Sequence, residues 1–228
     1  MKFTNSLIKG KLLKRYKRFF ADIKVNNKIV TAHCPNTGSM QGLLNEGNDV
    51  FITEHNDPKR KLKFTLELIE VNKILIGVNT HRANRIVQHG LENKLFSEFK
   101  SINTIKAEFK YSDDTRFDFL CDKMIIEVKN VTLNRNENLA EFPDAITSRG
   151  SKHLIKLINS IKKGYKPFVL FLTQIQGISK FKIAKDIDND YYQNYLLAKK
   201  SGVKFLAYRC KISPVEIKVE KKLKIIDE

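Results

Sequence analysis

The chain has 228 residues, with 42 Lys+Arg against 25 Asp+Glu, a formal charge of +17 and an isoelectric point near 9.7. Hydrophobic residues make up 42% of it, enough to bury a core, and at about 100–200 residues per domain the length predicts one large or two small domains. No apolar run reaches the roughly 18 residues of a membrane span, and residues 1–6 lack the apolar core and cleavage site of a signal peptide. Cys34, Cys121 and Cys210 are odd in number and far apart, which excludes a disulfide framework or zinc knuckle and suits a reducing cytoplasm. The charge favours a polyanionic partner. Lysines outnumber arginines 33 to 9, however, and a lysine-rich surface can be merely solvated. Residues 1–90 hold 16 basic and 7 acidic side chains, so both halves are basic and no detachable tail carries the excess.

In chain order, the first 80 residues read as short strands with turn punctuation. Strands are predicted at 19–25, 28–33, 49–53, 64–71 and 74–78, the first two joined by the hairpin dipeptide Asn26-Asn27. Residues 35–42, with one proline and two glycines, form a loop. Five short strands without an intervening helix fit a small barrel of the OB type. Residues 83–100 have the spacing of one or two short helices, and 105–111, 116–121 and 124–132 alternate as three strands. A helix is predicted from 144 to 163, with Leu154, Leu157, Ile158 and Ile161 as its apolar stripe and Gly164 as its stop. The run at 167–173 does not alternate and reads as a buried strand. A polar helix at 190–200 and a strand at 203–210 follow, and Lys221-Lys222-Leu223-Lys224 reads as a soluble tail. The expected architecture is a two-domain α+β or α/β chain, with a barrel at 1–81 and a helix-flanked sheet at 82–228.

The sharpest chemical signal is Asp118 with Glu127-Val128-Lys129. On a strand Glu127 and Lys129 share a face, with Val128 opposite. The separation from Asp118 suits a short hairpin that sets two carboxylates side by side. Such a pair repels unless a cation lies between its members. Mg²⁺ suits it, because Mg²⁺ takes one or two carboxylates and keeps waters and phosphate oxygens. Each carboxylate also sits within an apolar strand, Phe117-Asp118-Phe119 and Ile126-Glu127-Val128, where a charge needs a partner. Ordinary half-buried strands also carry such residues, and the bare spacing is common.

Lys14-Arg15-Tyr16-Lys17-Arg18-Phe19-Phe20 interleaves cations with aromatics, as OB grooves do when cations track phosphate and rings stack on bases. Phe19 and Phe20 equally suit the core. Asn36 and Thr37 offer hydroxyl and amide groups to phosphate or simply turn the chain. Arg82 and Arg85 fall at the domain junction, and Lys59-Arg60-Lys61 with Lys63 forms a further basic cluster. Arg149, Lys152, His153 and Lys156 fall on one face of the predicted helix, opposite its apolar stripe.

Six separated strings carry a resemblance: Leu13-Lys14-Arg15-Tyr16-Lys17-Arg18-Phe19; His33-Cys34-Pro35-Asn36-Thr37-Gly38-Ser39-Met40; Val78-Asn79-Thr80 with Ala83-Asn84-Arg85; Arg116-Phe117-Asp118-Phe119; Ile126-Glu127-Val128-Lys129-Asn130-Val131-Thr132-Leu133; and Phe142-Pro143-Asp144-Ala145 with Arg149-Gly150-Ser151-Lys152-His153-Leu154. In this order, over residues 13–213, the chain resembles the sugar fermentation stimulation protein (SfsA) family. The resemblance implies an N-terminal OB-like barrel joined to a PD-(D/E)XK (restriction-endonuclease-like) domain, a mixed sheet flanked by helices. It also implies non-specific DNA binding and a regulatory link to sugar (maltose) metabolism. By the same resemblance Asp118 and Glu127 hold a divalent metal and Lys129 assists the attacking water. Glu108, ahead of Glu92, is the candidate for an additional upstream metal ligand. Arg149 and Lys152 are assigned to phosphate contact, His153 to phosphate or to supporting the site, and Asp144 to capping the helix or touching metal.

The expectation is a cytoplasmic, non-sequence-specific DNA-binding protein, on single or double strands, with a Mg²⁺- or Mn²⁺-dependent phosphodiesterase site. Its catalytic residues would be Asp118, Glu127 and Lys129, and its metal ligands Asp118, Glu127 and Glu108. Its nucleic-acid contacts would be Arg15, Lys17, Arg18, Asn36, Thr37, Arg82, Arg85, Arg149, Lys152 and His153. The alternatives are a non-catalytic DNA-binding or transcription-modulating protein with an inert site, and an RNA- or protein-binding adaptor.

Overall fold

Strands β1 (Ile8–Tyr16), β2 (Phe20–Val25), β3 (Lys28–His33), β4 (Asp49–Glu54), β5 (Phe64–Val71) and β6 (Ile74–Gly77) form one sheet in the order β3-β2-β1-β4-β5-β6. A parallel pairing of Ala32 with Phe64 and of His33 with Thr65 joins β3 to β5 and closes the first five strands into a barrel. Leu12, Ala21, Ile23, Ala32, Val50, Ile52 and Leu66 fill its interior. This is a computed structural model, and it describes residues 1–226. Strand β1 is missing from the sequence reading, because its lysines hide the alternation that buries Gly10 and Leu12. Lys17 and Arg18 make the β1–β2 turn in the left-handed region, and Asn26 does the same in the predicted hairpin.

The rest of the chain contributes α1 (Ala83–Glu92), β7 (Lys106–Ser112), β8 (Thr115–Cys121), β9 (Met124–Val131), β10 (Leu133–Asn136), β11 (Leu139–Phe142) and α2 (Ser148–Ile161). It continues with β12 (Lys166–Thr173), β13 (Lys180–Ile183), α3 (Asn189–Lys200), β14 (Lys204–Ile212), β15 (Ile217–Lys222) and β16 (Lys224–Ile225). The main sheet runs β15-β14-β12-β9-β8-β7. Its centre is parallel, β9 with β12 and β12 with β14, and its edges are antiparallel. From Pro167 to Thr173 β12 is buried throughout, as a central parallel strand covered on both faces must be. Helix α1 packs on one face, with Ile86 and Val87 against Phe119, Ile126 and Leu170. Leu154 and Leu157 of α2 pack on the other, with Phe117, Val169 and Phe171.

Four differences from the sequence reading stand out. Helix α2 starts at Ser148, and Thr147 caps it by accepting from the Gly150 amide at 3.2 Å. Asp144 therefore does not cap it. A second sheet, β10-β11-β13-β16, was not predicted, because its strands are short and carry such polar runs as Asn134-Arg135-Asn136. Residues 221–224 are not a tail: they belong to β15 and β16, with Leu223 buried between them. Residues 1–3 lie outside the barrel. Lys2 bridges to Glu216, and the Phe3 amide donates to Val215 O at 3.0 Å.

The barrel and the second sheet system are stitched together through backbone. The Gly77 amide donates to Gln174 O at 2.9 Å and the Gln176 amide to Leu75 O at 3.1 Å. Phe51 and Leu68 of the barrel share an apolar cluster with α1. The loop after β3 presses on the segment before α2 so closely that a Cβ on Gly38 would stand 2.0 Å from Asp144 Oδ2.

Candidate functional site

Asp118 lies on β8 and Glu127 on β9, each one residue beyond the last pair of the β8–β9 ladder. The ladder pairs Cys121 with Met124, Leu120 with Ile125 and Phe119 with Ile126, and then stops. Beyond that point β8 parts from β9, and Asp118 Oδ2 accepts the Val128 amide at 2.7 Å. The divergence shows in the packing. Phe119 packs with the α1 cluster, whereas Phe117, two residues earlier, packs with the α2 cluster. Regular alternation would put both on one face.

The other Asp118 oxygen accepts from Asn84 Nδ2 at 2.7 Å, so the start of α1 reaches into the site. Glu127 is buried and receives two donors on the same atom: Lys129 Nζ at 2.7 Å and His153 Nδ1 at 2.6 Å, both to Oε1. No hydrogen bond falls on its Oε2 among the described residues. Burial works against the charge of Glu127, but Lys129 and then His153 outweigh it and hold this carboxyl below the usual range. Asp118 goes the other way. Burial first, and the Glu127 charge second, push it up to about 6 against the pull of the Val128 amide, Asn84 and Lys129. One member of the pair is thus charged and cation-bound, and the other is short of positive charge.

Among the described residues no three His, Cys, Asp or Glu side chains converge as a metal cage. Buried Glu127, with its free Oε2, and half-buried Asp118 are nevertheless a donor set that Mg²⁺ or Mn²⁺ accepts when water and phosphate supply the remaining oxygens. Glu108 does not join them. It is exposed, sits on β7 with φ 52°, and its nearest ion-pair partner is Arg116 at 3.9 Å. Nor does Glu92, which is exposed and accepts from Gln88 on its own helix.

His153 is buried against Phe117 and committed to Glu127, so it is not the phosphate contact its helical spacing with Arg149 suggested. Arg149 and Lys152 are exposed and line a cleft of about 430 Å³ beside it, together with Arg116 and Lys156. Lys156 is tied to Asp114 at 2.8 Å. In the barrel, Lys17 and Arg18 project from the β1–β2 turn beside exposed Phe19 and Tyr16. Arg15 is used internally: its Nη2 donates to Asn36 O at 2.7 Å and Gly38 O at 3.2 Å. Asn36 is buried and its side chain accepts the Gly38 amide at 2.9 Å, whereas Thr37 is exposed, as are Ser39 and Gln41 in the same loop. Arg82 is also committed. Its Nε and Nη2 reach the two oxygens of buried Glu67 at 2.5 and 2.6 Å, and its guanidinium covers the Phe3 ring. Arg85 is exposed. Neither Asn84 nor Glu67 was picked out as a site residue from the sequence, and no spacing rule marks either one.

The fold and site define an OB barrel followed by a mixed-sheet domain with a carboxylate pair, of which buried Glu127 is held by Lys129. The chain belongs to the sugar fermentation stimulation protein family. The family model "SfsA N-terminal OB domain" matches residues 13–78, and "Sugar fermentation stimulation protein RE domain" matches residues 81–216. The chain is 63% identical to a sugar fermentation stimulation protein homolog of Pelagibacter ubique, over 100% of both chains. A homolog from Alteromonas mediterranea is 42% identical, over 99% of this chain and 100% of its own. Among solved structures, that of Pyrococcus furiosus SfsA in complex with Ca²⁺ superposes with a TM-score of 0.89, covering 100% of this chain and 98% of the other at 24% identity. Its likeness establishes the shared fold. Among the described residues no helix is long and apolar enough to cross a membrane.

Proposed function

We infer that the protein binds DNA without sequence specificity and hydrolyses its phosphodiester bonds at the Asp118–Glu127 site with Mg²⁺ or Mn²⁺, in the manner of a PD-(D/E)XK nuclease. The observation that carries this reading is the carboxylate pair just beyond the β8–β9 ladder, half-buried Asp118 and buried Glu127, with Lys129 and His153 gathered on one oxygen of Glu127. Asp118 and Glu127 Oε2 would hold the metal. That the Pyrococcus relative was solved with Ca²⁺ agrees with a site for a hard, oxygen-seeking cation. The chemistry such an ion supplies when bound is polarisation of a phosphoryl oxygen and a lowered pKa for water.

The chain's own groups do the rest. Asn84 and the Val128 amide fix the Asp118 carboxylate, and His153 fixes Glu127. Lys129 Nζ, beside Glu127, orients the attacking water. Arg149 and Lys152 take phosphates along the adjoining cleft, while Lys17 and Arg18 track backbone at the barrel turn and Tyr16 and Phe19 offer faces for bases.

The test is incubation of end-labelled single- and double-stranded DNA, and of RNA, with the purified protein in Mg²⁺, Mn²⁺ or EDTA. Metal-dependent products from wild type, absent in Glu127→Gln, support the reading, and RNA cleavage alone would move the substrate to RNA. Binding without cleavage in any metal would make this a non-catalytic DNA-binding protein.

A further inference from the structure

The barrel carries a second charged cleft, of about 430 Å³, that the carboxylate site does not use. Its walls come from three parts of the chain. His33 ends β3, His55 and Arg60 follow β4, and His81, Arg82 and Arg85 lie on the crossover into α1. The floor is built. Glu67, at 1% exposure, accepts from Thr53 Oγ1 at 3.0 Å, Asn79 Nδ2 at 2.9 Å and both arms of Arg82. Arg60 Nη2 donates to Thr65 Oγ1 at 3.0 Å, and His55 Nε2 lies 3.0 Å from the same hydroxyl. The His33 and His81 rings are 6.4 Å apart.

The charges do not balance. Glu67 neutralises Arg82, while Arg60 and Arg85 make no ion pair among the described residues. Burial lowers the pKa of His33, and His81 and Arg60 lower it further. His55 is lowered by burial and then by Arg60, with Glu67 and Asp57 pulling back and Arg82 adding to the fall. Cations and imidazole N–H groups gathered on a polar floor, with a single saturated carboxylate among them, match an anion carrying more than one charge and several acceptor oxygens.

We propose that this cleft is a phosphomonoester-binding site, formed by Arg60, Arg85, His33, His55 and His81 over the Glu67–Arg82 floor. A terminal phosphate presents two charges and three free oxygens, whereas an internal phosphodiester presents one charge and must thread chain out of both sides of the cleft. Two sources share this chemistry: the phosphorylated end of a nucleic-acid strand and a free nucleotide. For a strand end the proposal rests on the DNA-binding reading, and the crossover gives it a direction. Arg82 and Arg85 flank Asn84, which hydrogen-bonds Asp118, so a strand held by its end here runs toward the carboxylate pair.

The experiment measures binding by titration calorimetry in EDTA, so that cleavage plays no part. The probes are decathymidylate with a 5′-phosphate, with a 3′-phosphate and with hydroxyl ends, thymidine 5′-monophosphate, and inorganic phosphate. Wild type is expected to bind a phosphorylated decamer about tenfold more tightly than the hydroxyl-ended one. Arg60→Ala/Arg85→Ala, which alters two exposed side chains, is expected to erase that preference, with an unchanged melting temperature as the check on folding. Lys152→Ala, in the other cleft, should weaken all decamers alike. If thymidine 5′-monophosphate binds as tightly as the phosphorylated decamer, the ligand is a nucleotide; if the decamer binds more tightly, it is a strand end. A preference retained by Asp118→Asn supports the site even if no DNA is ever cut. Equal binding of phosphorylated and hydroxyl-ended probes by wild type, or a preference that survives the double variant, overturns the proposal.

Discussion

The carboxylate pair of the second domain and the charged cleft of the barrel differ in the sign of their unpaired charge, and one short piece of chain touches both. In the second domain buried Glu127 and half-buried Asp118 lie close together on adjacent strands, and only Glu127 has a cation of its own, Lys129, with His153 on the same oxygen. In the barrel a group of cations and histidines faces a single buried carboxylate, and only Arg82 is neutralised. Each site therefore contains one settled ion pair and one charge imbalance. Residues 79–85 serve both, with Asn79 and Arg82 on Glu67 and Asn84 on Asp118. On the proposed reading the settled pair supplies rigidity, and the imbalance would supply affinity for a cation at the carboxylates and for an anion in the barrel cleft.

The largest expected effect tests the carboxylate side. Asp118→Asn should lower metal-dependent cleavage of labelled DNA by about a thousandfold, since several kcal/mol of charge stabilisation go with the metal. Mg²⁺ or Ca²⁺ is expected to raise the melting temperature of wild type, and this variant should abolish that rise. A variant that keeps both would remove Asp118 from the site.

Next is the settled pair of the barrel. Arg82→Ala leaves Glu67 buried without its cation and should destabilise the fold by about 3–5 kcal/mol in denaturant titration. A loss under about 1 kcal/mol would place this pair with ordinary surface bridges and undo the contrast drawn above.

A smaller effect is expected at the link between the clefts. Asn84→Ala removes one of the two hydrogen bonds on Asp118 and should weaken metal affinity by about tenfold, read by calorimetry, while leaving discrimination of phosphate ends intact. Smallest of all, Lys152→Ala should weaken DNA binding a few-fold and reduce the slope of log affinity against log salt by about one unit.

How far the site was legible depended on the range of the interaction. The opposition of Asp118 and Glu127 could be read because a tight turn at Asp122-Lys123 and a period of two set it locally. Glu108 was read from its place on the strand beside Asp118, but it is exposed on the edge strand with its own backbone in the left-handed region. His153 was assigned to the polar face by its spacing with Arg149, yet it lies beside Leu154 in the interior, where Glu127 gives it a partner 26 residues away. Arg15 looked like a phosphate-tracking cation, and nothing nearby in sequence shows that its guanidinium holds the carbonyls of a loop more than 20 residues on. The small second sheet escaped because two- and four-residue strands are stabilised by their neighbours rather than by their own composition.

By itself the sequence determined most of the barrel strands, the three helices and the central strands of the main sheet, the basic charge and the nearness of the two carboxylates. These depend on residue type and on periods of two and of 3.6, which act over a few neighbours. Only the tertiary structure decided which charges are already satisfied. Glu67 with Arg82, Glu127 with His153 and Asp118 with Asn84 each join residues 15 to 34 apart on different elements. A period tells which face a side chain occupies. It cannot tell what waits on the other side, because that contact forms only once the elements have packed and the water between them has gone.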